Sequence, residues 1–188
     1  ERAGINALLK VFNTIRKEQI QLKGNFYGIS GNLNAISENI RFKNVKWVAD
    51  LRKIKKLPSI FLANEFFDAI PIKQFLKYEN IWFEKFVHVH NDKKIGFVNK
   101  QTDIRIIEKK INFKISEKQN FIEYSPLGFK YLTNIFKSIR ENKGGLLIID
   151  YGYFTEKMKN TIQAIYKQKH SMVLENIGKS DITYNINF

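Results

Sequence analysis

The chain has 188 residues, of which 44% are hydrophobic and 14% aromatic, a composition that excludes a disordered chain and allows one domain with a real core. It has no cysteine, which excludes disulfides and thiolate metal sites and suits a reducing compartment. The net charge of +14 raises nucleic acid as a partner, but lysines spread along the whole chain supply most of it. Arginine occurs only at Arg2, Arg16, Arg41, Arg52, Arg105 and Arg140, and bidentate base readout favours arginine. Compositional drift is the expected source of the charge, and nucleic acid is not an expected partner. No run approaches the roughly 18 apolar residues of a membrane span. Glu1-Arg2-Ala3-Gly4 reads as neither a signal nor a transit peptide. The chain does not begin with Met, so it reads as a piece of something longer.

Taken in order, residues 6–20 read as a helix from Leu8, Leu9, Phe12 and Ile15, with Asn6 as its cap. Residues 25–30 and 45–49 read as strands, with a second helix over 32–42 between them. Residues 52–56 form a basic loop or short helix. Ser59 to Asn64 is a short apolar run that ends abruptly in Asn64-Glu65, with Asp68 and Pro71 close behind. It reads as a buried strand of a parallel sheet that opens into a polar loop at its carboxyl end. The alternation of helix and strand predicts an α/β fold with crossover helices.

After Pro71 the pattern changes. Residues 72–78, 82–89 and 95–98 read as strands separated by turns at 79–80 and 91–93. This predicts an antiparallel meander, about 72–115, inserted in the α/β core. Ile104, Ile106, Ile111, Phe113 and Ile115 are read as its continuation. His88 and His90 share one face of a strand. A metal site needs more ligands than these two, so they read as surface histidines and no metal is expected.

Ser125-Pro126 predicts a helix start, with a capping hydroxyl and proline in the first turn. Tyr131, Leu132, Ile135, Phe136 and Ile139 give it an apolar face, and Asn142-Lys143-Gly144-Gly145 ends it. Leu146 to Ile149 reads as a second fully buried strand, and it too stops on an acid, Asp150-Tyr151-Gly152-Tyr153. Residues 160–170 read as helical. Two buried strands thus deliver acids at their carboxyl ends, where open α/β sheets bind ligands. For Asp68 a charge at a helix N-terminus stays an equal alternative, as does a structural turn acid for Asp150.

These residues carry a resemblance. Ala63 to Pro71, continued by Gln74-Phe75, resembles the hallmark of the MidA-like class I methyltransferases, which use S-adenosylmethionine and include the mitochondrial complex I assembly methyltransferase. Ile149 to Tyr153 resembles the family's second acidic strand end. Glu123-Tyr124-Ser125-Pro126 resembles its E-x-S-P, Thr161 to Ala164 its T-L-Q-A, and Gly178 to Thr183 its G-x-x-D-L-T. Order and spacing agree over about residues 45 to 188, and five ordered motifs are far more specific than one.

The resemblance implies a Rossmann-like class I fold of which residues 1–188 form a single partial domain. It implies protein-arginine N-methylation linked to respiratory complex assembly, with a protein substrate such as a respiratory-complex subunit, in a bacterial cytoplasm or a mitochondrial matrix. The family's first strand and glycine-rich loop would lie just before or at residue 1, leaving Gly4 as the tail of that loop. The acid that binds the ribose hydroxyls is replaced by Gly28. The closing helix and last two strands of the family would follow Phe188. Weak or absent S-adenosylmethionine binding is therefore expected.

Methyl transfer to arginine needs a carboxylate to orient a guanidinium that stays protonated, its pKa being above roughly 12. Within the resemblance Glu65 takes that role, with Asp68 as helper or as a loop-fixing acid. Asn64 borders the cofactor, Asp50 and Leu51 reach the adenine, and Asp150 and Tyr151 wall the acceptor side. The alternative is a non-catalytic remnant of the same fold that binds a protein partner through the meander, with Trp82 and Phe83 in contact.

Overall fold

The computed structural model describes residues 26–29, 45–48, 50–91 and 93–188. The two helices expected over 6–20 and 32–42, and Gly4, lie outside these residues. The chain divides into two compact units, one within Glu1–Asn64 and Leu132–Ile148 and the other within Glu65–Tyr131 and Ile149–Phe188.

The first unit holds the parallel strands. β1 (Phe26–Ile29) pairs in parallel with β2 (Val45–Val48), Phe26 opposite Val45 and Ile29 opposite Val48. A 3-10 turn at Leu51–Lys53 follows, with Asp50 at its N-cap accepting from the Arg52 N–H at 2.9 Å. β3 (Ser59–Asn64) pairs with β8 (Gly144–Ile149). The Ser59 N–H donates to the Lys143 carbonyl at one end and the Glu65 N–H to the Ile149 carbonyl at the other. The sequence offset is the same at both ends, so the two strands run parallel.

The sequence predicts that these strands are buried on both faces, and they are not. Ile60 is 80% exposed, and Leu62, Leu147 and Ile149 are exposed too. Apolar side chains in an uninterrupted run look alike whichever face is covered. Helix α2 (Pro126–Asn142) leads into β8. It ends at Asn142, within the expected stop, with Lys143 following at φ 70°. Gly144 instead begins the strand, where a Cβ would run into the Ser59 carbonyl. Glycine is needed there for the close approach of two backbones.

The second unit is mainly antiparallel. β4 (Lys73–Tyr78), β5 (Ile81–Val89), β6 (Ile95–Thr102) and β7 (Phe121–Tyr124) form one sheet in the order β6-β5-β4-β7. The meander is therefore present, and it recruits β7. The β4–β5 turn is Glu79-Asn80, both at positive φ (46° and 64°), as a type I′ hairpin turn requires. The core of this unit is Phe75, Trp82, Ile104, Ile115, Ile122 and Tyr124, with Ile107, Ile111 and Met158 packed against it. Trp82 is thus a core residue and not the exposed docking residue that the partner-binding alternative requires.

Two expectations fail in this unit. Residues Arg105–Ile111 form helix α1 and do not extend the meander. Ile104, Ile107 and Ile111 face the core at helical spacing, while Ile106 and Phe113 are exposed. The adjacent pair Ile106-Ile107 satisfies either period, so the alternate-residue reading took the wrong one. Residues 160–170 are not helical either. β10 (Gln163–Tyr166) forms a hairpin with β11 (Lys169–Ser171) and pairs on its other side with β12 (Asp181–Thr183). β9 (Gly152–Tyr153) pairs in parallel with β13 (Ile186–Asn187). No helix among the described residues is long and apolar enough to cross a membrane.

Phe75 and Ile122 face each other across β4 and β7 with no exposure at all. Phe75→Ala is expected to lower stability by about 3–5 kcal/mol through lost burial and a residual cavity. The exposed Val87→Ala on β5 should cost less than about 0.5 kcal/mol. Urea denaturation of the two variants checks both.

Candidate active site

The site is built on the turn that follows β3. Glu65 leaves the strand at φ 45°, a conformation that L-residues other than Asn and Asp rarely adopt. Its N–H completes the ladder on the Ile149 carbonyl at 2.8 Å. The next three N–H groups converge on one oxygen. Asp150 Oδ2 accepts from Phe66, Phe67 and Asp68 at 3.2, 2.8 and 3.4 Å. Asp150 Oδ1 accepts from the Tyr151 N–H at 2.9 Å. The two acids predicted at neighbouring strand ends are thus brought together, with the Asp150 carboxylate spent on holding the turn that carries Glu65.

The rest of the turn is fixed by two other segments. Ser125 Oγ donates to the Pro71 carbonyl at 2.9 Å and accepts from the Gly128 N–H at 3.0 Å, so it caps α2 as its position predicted. The Tyr184 N–H donates to the Asp68 carbonyl at 3.1 Å. Phe66 packs edge-on against Phe67 and Tyr131, centroids 5.2 Å apart in each case.

A polar network surrounds these ties. Glu123 Oε1 accepts from Gln74 Nε2 at 2.8 Å and from the Thr161 N–H at 3.0 Å, and Oε2 accepts from Thr161 Oγ1 at 2.5 Å. Gln74 also reaches Asn160 Oδ1 at 2.8 Å, and the Asn185 N–H donates to Thr161 Oγ1 at 3.0 Å. Residues 65–75, 123–126, 150–153, 161 and the chain's last residues meet here, although they are scattered along the sequence.

The electrostatics are lopsided. Asp68 is 5% exposed. Burial, then the charges of Asp150, Glu65 and Asp181, push its carboxyl up to about 6, against the pull of the Ala69 N–H. Burial, joined by the fields of Asp150, Asp68 and Glu123, also raises the Tyr184 phenol to about 12, with the Ser125 hydroxyl opposing. Tyr184 therefore stays a neutral O–H near neutral pH. Among the described residues no lysine or arginine forms an ion pair with Glu65, Asp68, Asp150 or Asp181. Glu65 is exposed, and its carboxylate accepts no hydrogen bond from the described residues.

Of the other predicted residues, Asn64 has a buried amide nitrogen with no hydrogen-bond partner among the described residues. Such a donor costs stability unless something accepts from it. Asp50 is occupied by Arg52, whose backbone N–H and guanidinium both bond its carboxylate. Leu51 is half-buried, and Tyr151 is 61% exposed. No group of three or more His, Asp or Glu among the described residues is arranged to hold a metal ion. The residue that the motifs passed over is Tyr184. It stands one position past the segment 178–183, and no local pattern marks it.

A family described as "Putative S-adenosyl-L-methionine-dependent methyltransferase" matches residues 13–188. The chain belongs to this methyltransferase family. Among curated proteins it is similar to the mitochondrial protein arginine methyltransferase NDUFAF7 of Danio rerio, 29% identical over 150 residues, which is 77% of this chain and 34% of that protein. The Caenorhabditis elegans homolog of that protein is 27% identical over 147 residues, again 77% of this chain and 34% of that protein. The chain thus spans about a third of the length of these curated relatives. Among solved structures, a "likely methyl transferase" from Burkholderia thailandensis bound to S-adenosyl-homocysteine superposes with a TM-score of 0.69 at 16% identity, covering 94% of this chain and 48% of that one. The likeness shows the fold: a mixed α/β arrangement with parallel and antiparallel sheets, as the family resemblance implied.

Because the folded Asp68 carboxyl titrates near 6 and an unfolded one near 3.8, the folded state holds the proton more tightly. The contribution of Asp68 to stability is full below pH 3.8 and is lost as the pH rises through about 6. Asp68→Asn is expected to be more stable than the parent at pH 7 by about 1–2 kcal/mol, allowing for solvent screening, and no more stable at pH 3.5. Denaturant unfolding at the two pH values checks the sign.

Proposed function

We propose that this chain forms the acceptor side of an S-adenosylmethionine-dependent protein arginine methyltransferase, with Glu65 as the residue that grips the acceptor. The observation that carries the reading is the state of Glu65. It is exposed and unpaired, at the end of a strand, beside three further acids that no cation neutralises among the described residues. Such a place favours a ligand with fixed positive charge and several N–H donors. A guanidinium fits both demands, since it keeps its charge and pairs with a carboxylate bidentately. The relatives' names, which specify protein arginine methylation, support the same acceptor, and so do the protein substrate and respiratory-complex setting that the family resemblance implies.

The cofactor supplies, when bound, a methyl group on a sulfonium. The protein's own part is to align the acceptor and to receive a proton. Glu65 would orient the guanidinium for transfer. The nitrogen that accepts the methyl would release a proton. Asp68, held in the same turn with a raised proton affinity, is the group we assign to receive it. Asp150 would act through the turn, and Tyr151 would border the acceptor. Asn64 offers its unpartnered amide donor to the cofactor. Asp50 offers less, because Arg52 already holds its carboxylate. With Asn64 as the one uncommitted polar side chain among the described residues assigned to the cofactor, weak binding is expected, and micromolar affinity by titration calorimetry would contradict it.

Glu65→Gln keeps the shape and removes the charge. It is expected to lower methyl transfer to an arginine peptide by about 100-fold or more while leaving the unfolding midpoint unchanged, as loss of a charge-stabilising group typically does. In the parent the rate should rise with pH through about 6 as Asp68 ionises, and Asp68→Asn should flatten that rise. Equal rates for Glu65→Gln and the parent, measured with radiolabelled cofactor, would defeat the assignment.

A further inference from the structure

We propose that Ser125 and Gly128 are positioning residues: together they fix the Pro71 end of the 65–71 turn against the first turn of α2, and through that turn they set how Glu65 meets its ligand. The proposal rests on the reading of Glu65 as the group that grips the acceptor. Its support is geometric. The turn is entered at φ 45°, a backbone state that its surroundings must maintain. Asp150 holds the first half through the N–H groups of Phe66, Phe67 and Asp68. The second half closes on itself, the Ile70 N–H donating to the Phe67 carbonyl at 3.2 Å. The Pro71 carbonyl is then held by Ser125 Oγ at 2.9 Å. Proline has no N–H, so its carbonyl is the one backbone group of that residue that can be tied.

A helix cap alone does not require this arrangement. Ser125 Oγ accepts from the Gly128 N–H at 3.0 Å, which satisfies one amide of the helix start. Its proton goes outside the helix, to Pro71. Ser125 is 9% exposed, so losing the hydroxyl leaves partners on both sides short of a bond. Gly128 makes room for that hydroxyl. It lies within α2 and has no positive φ, so its backbone does not call for glycine, and glycine weakens a helix relative to alanine. What calls for it is space. A Cβ there would stand 3.0 Å from Ser125 Oγ, 3.1 Å from Ser125 Cβ and 3.7 Å from the Phe67 ring. Carbons pack best at roughly 3.5–4.0 Å, so the serine would have to move. Phe67 makes the shortest of the three bonds to Asp150 Oδ2, and its ring packs edge-on against Phe66, next to Glu65. The start of α2 therefore bears on the turn at two points, Pro71 by hydrogen bond and Phe67 by close approach.

The test compares Ser125→Ala, Gly128→Ala and the double variant with the parent chain. Amide hydrogen exchange is measured, and the Glu65 carboxyl is followed by carbon-detected NMR during titration with ethylguanidinium. Ser125→Ala should speed exchange at Ile70, Phe66, Phe67 and Asp68 about fivefold and weaken the probe by about the same factor, the loss expected for one hydrogen bond. Exchange in β5 and β6 should stay unchanged. Gly128→Ala keeps the hydroxyl and is the better helix former, yet it should loosen the same four amides, because the added methyl displaces Oγ from Pro71. The double variant should exchange no faster at Ile70 than Ser125→Ala, since the bond to Pro71 is already lost. If Ser125→Ala speeds exchange only in the first turn of α2, as loss of a cap alone would, the proposal fails. It fails equally if Gly128→Ala slows exchange in the 65–71 turn, or if both single variants bind the probe as tightly as a parent that binds it. A parent Glu65 carboxyl that shows no response to the probe defeats the acceptor assignment instead, and exchange at Ile70 then still decides whether Ser125 and Gly128 hold the turn.

Discussion

Everything at the candidate site depends on one carboxylate accepting from consecutive backbone N–H groups. Asp150 Oδ2 draws in the amides of Phe66, Phe67 and Asp68. Charge-assisted bonds of this kind are roughly twice as strong as neutral ones. They act against two opposing terms: the left-handed entry at Glu65, of order 1 kcal/mol or more, and the removal of three amides from water. Without that acceptor the amides would face other acids or solvent, and the turn would lose its reason to curl toward β8. The strand-end acid on β8 therefore shapes the strand-end loop on β3, and the parallel pairing of the two strands puts one within reach of the other.

That arrangement divides the work among acids that look equivalent in sequence. Asp150 has its hydrogen-bonding capacity taken up by backbone and is poorly placed to bind anything else. Asp68 is buried among other carboxylates, and its charge is the least welcome of the set, which is why its proton affinity rises. Glu65 is exposed to solvent, and its carboxylate accepts no hydrogen bond from the described residues. The net charge of +14 does nothing to change this locally, because the cations that would compensate form no ion pairs with these acids among the described residues. Charges beyond about a Debye length, some 8–10 Å, are largely screened at the surface. A basic protein can therefore carry a site that selects a cation.

Much of the fold was legible because the relevant signals are local. Ser125-Pro126 predicted the start of α2, since capping needs only a hydroxyl and the next few amides. The β4–β5 hairpin was legible from Glu79-Asn80 between two alternating runs. Where local signals were ambiguous, tertiary packing decided. Ile106-Ile107 fits both a helix and a strand, and packing of Ile107 against the core around Phe75 and Ile122 selects the helix. Residues 163–171 look helical by composition. They form a hairpin because Lys167 and Gln168 take positive φ (49° and 63°), at a cost that β12 pairing on the far side helps to offset. Neither residue announces a turn.

The site shows the same limit more sharply. An acid that follows an apolar run is visible in sequence, so Glu65 and Asp150 could be placed near each other from strand order alone. What each carboxylate touches could not be, because the distinction lies in hydrogen bonds across more than eighty residues of chain. Tyr184 is the extreme case. It follows a recognisable segment, yet its own type and spacing carry no signal, and its N–H gains meaning only when the Asp68 carbonyl arrives beside it. Residues that touch a ligand tend to sit at strand ends and can be guessed from pattern. Residues that hold those in place are defined by partners from elsewhere in the chain, so in a site assembled from five segments they become visible only once the segments have met.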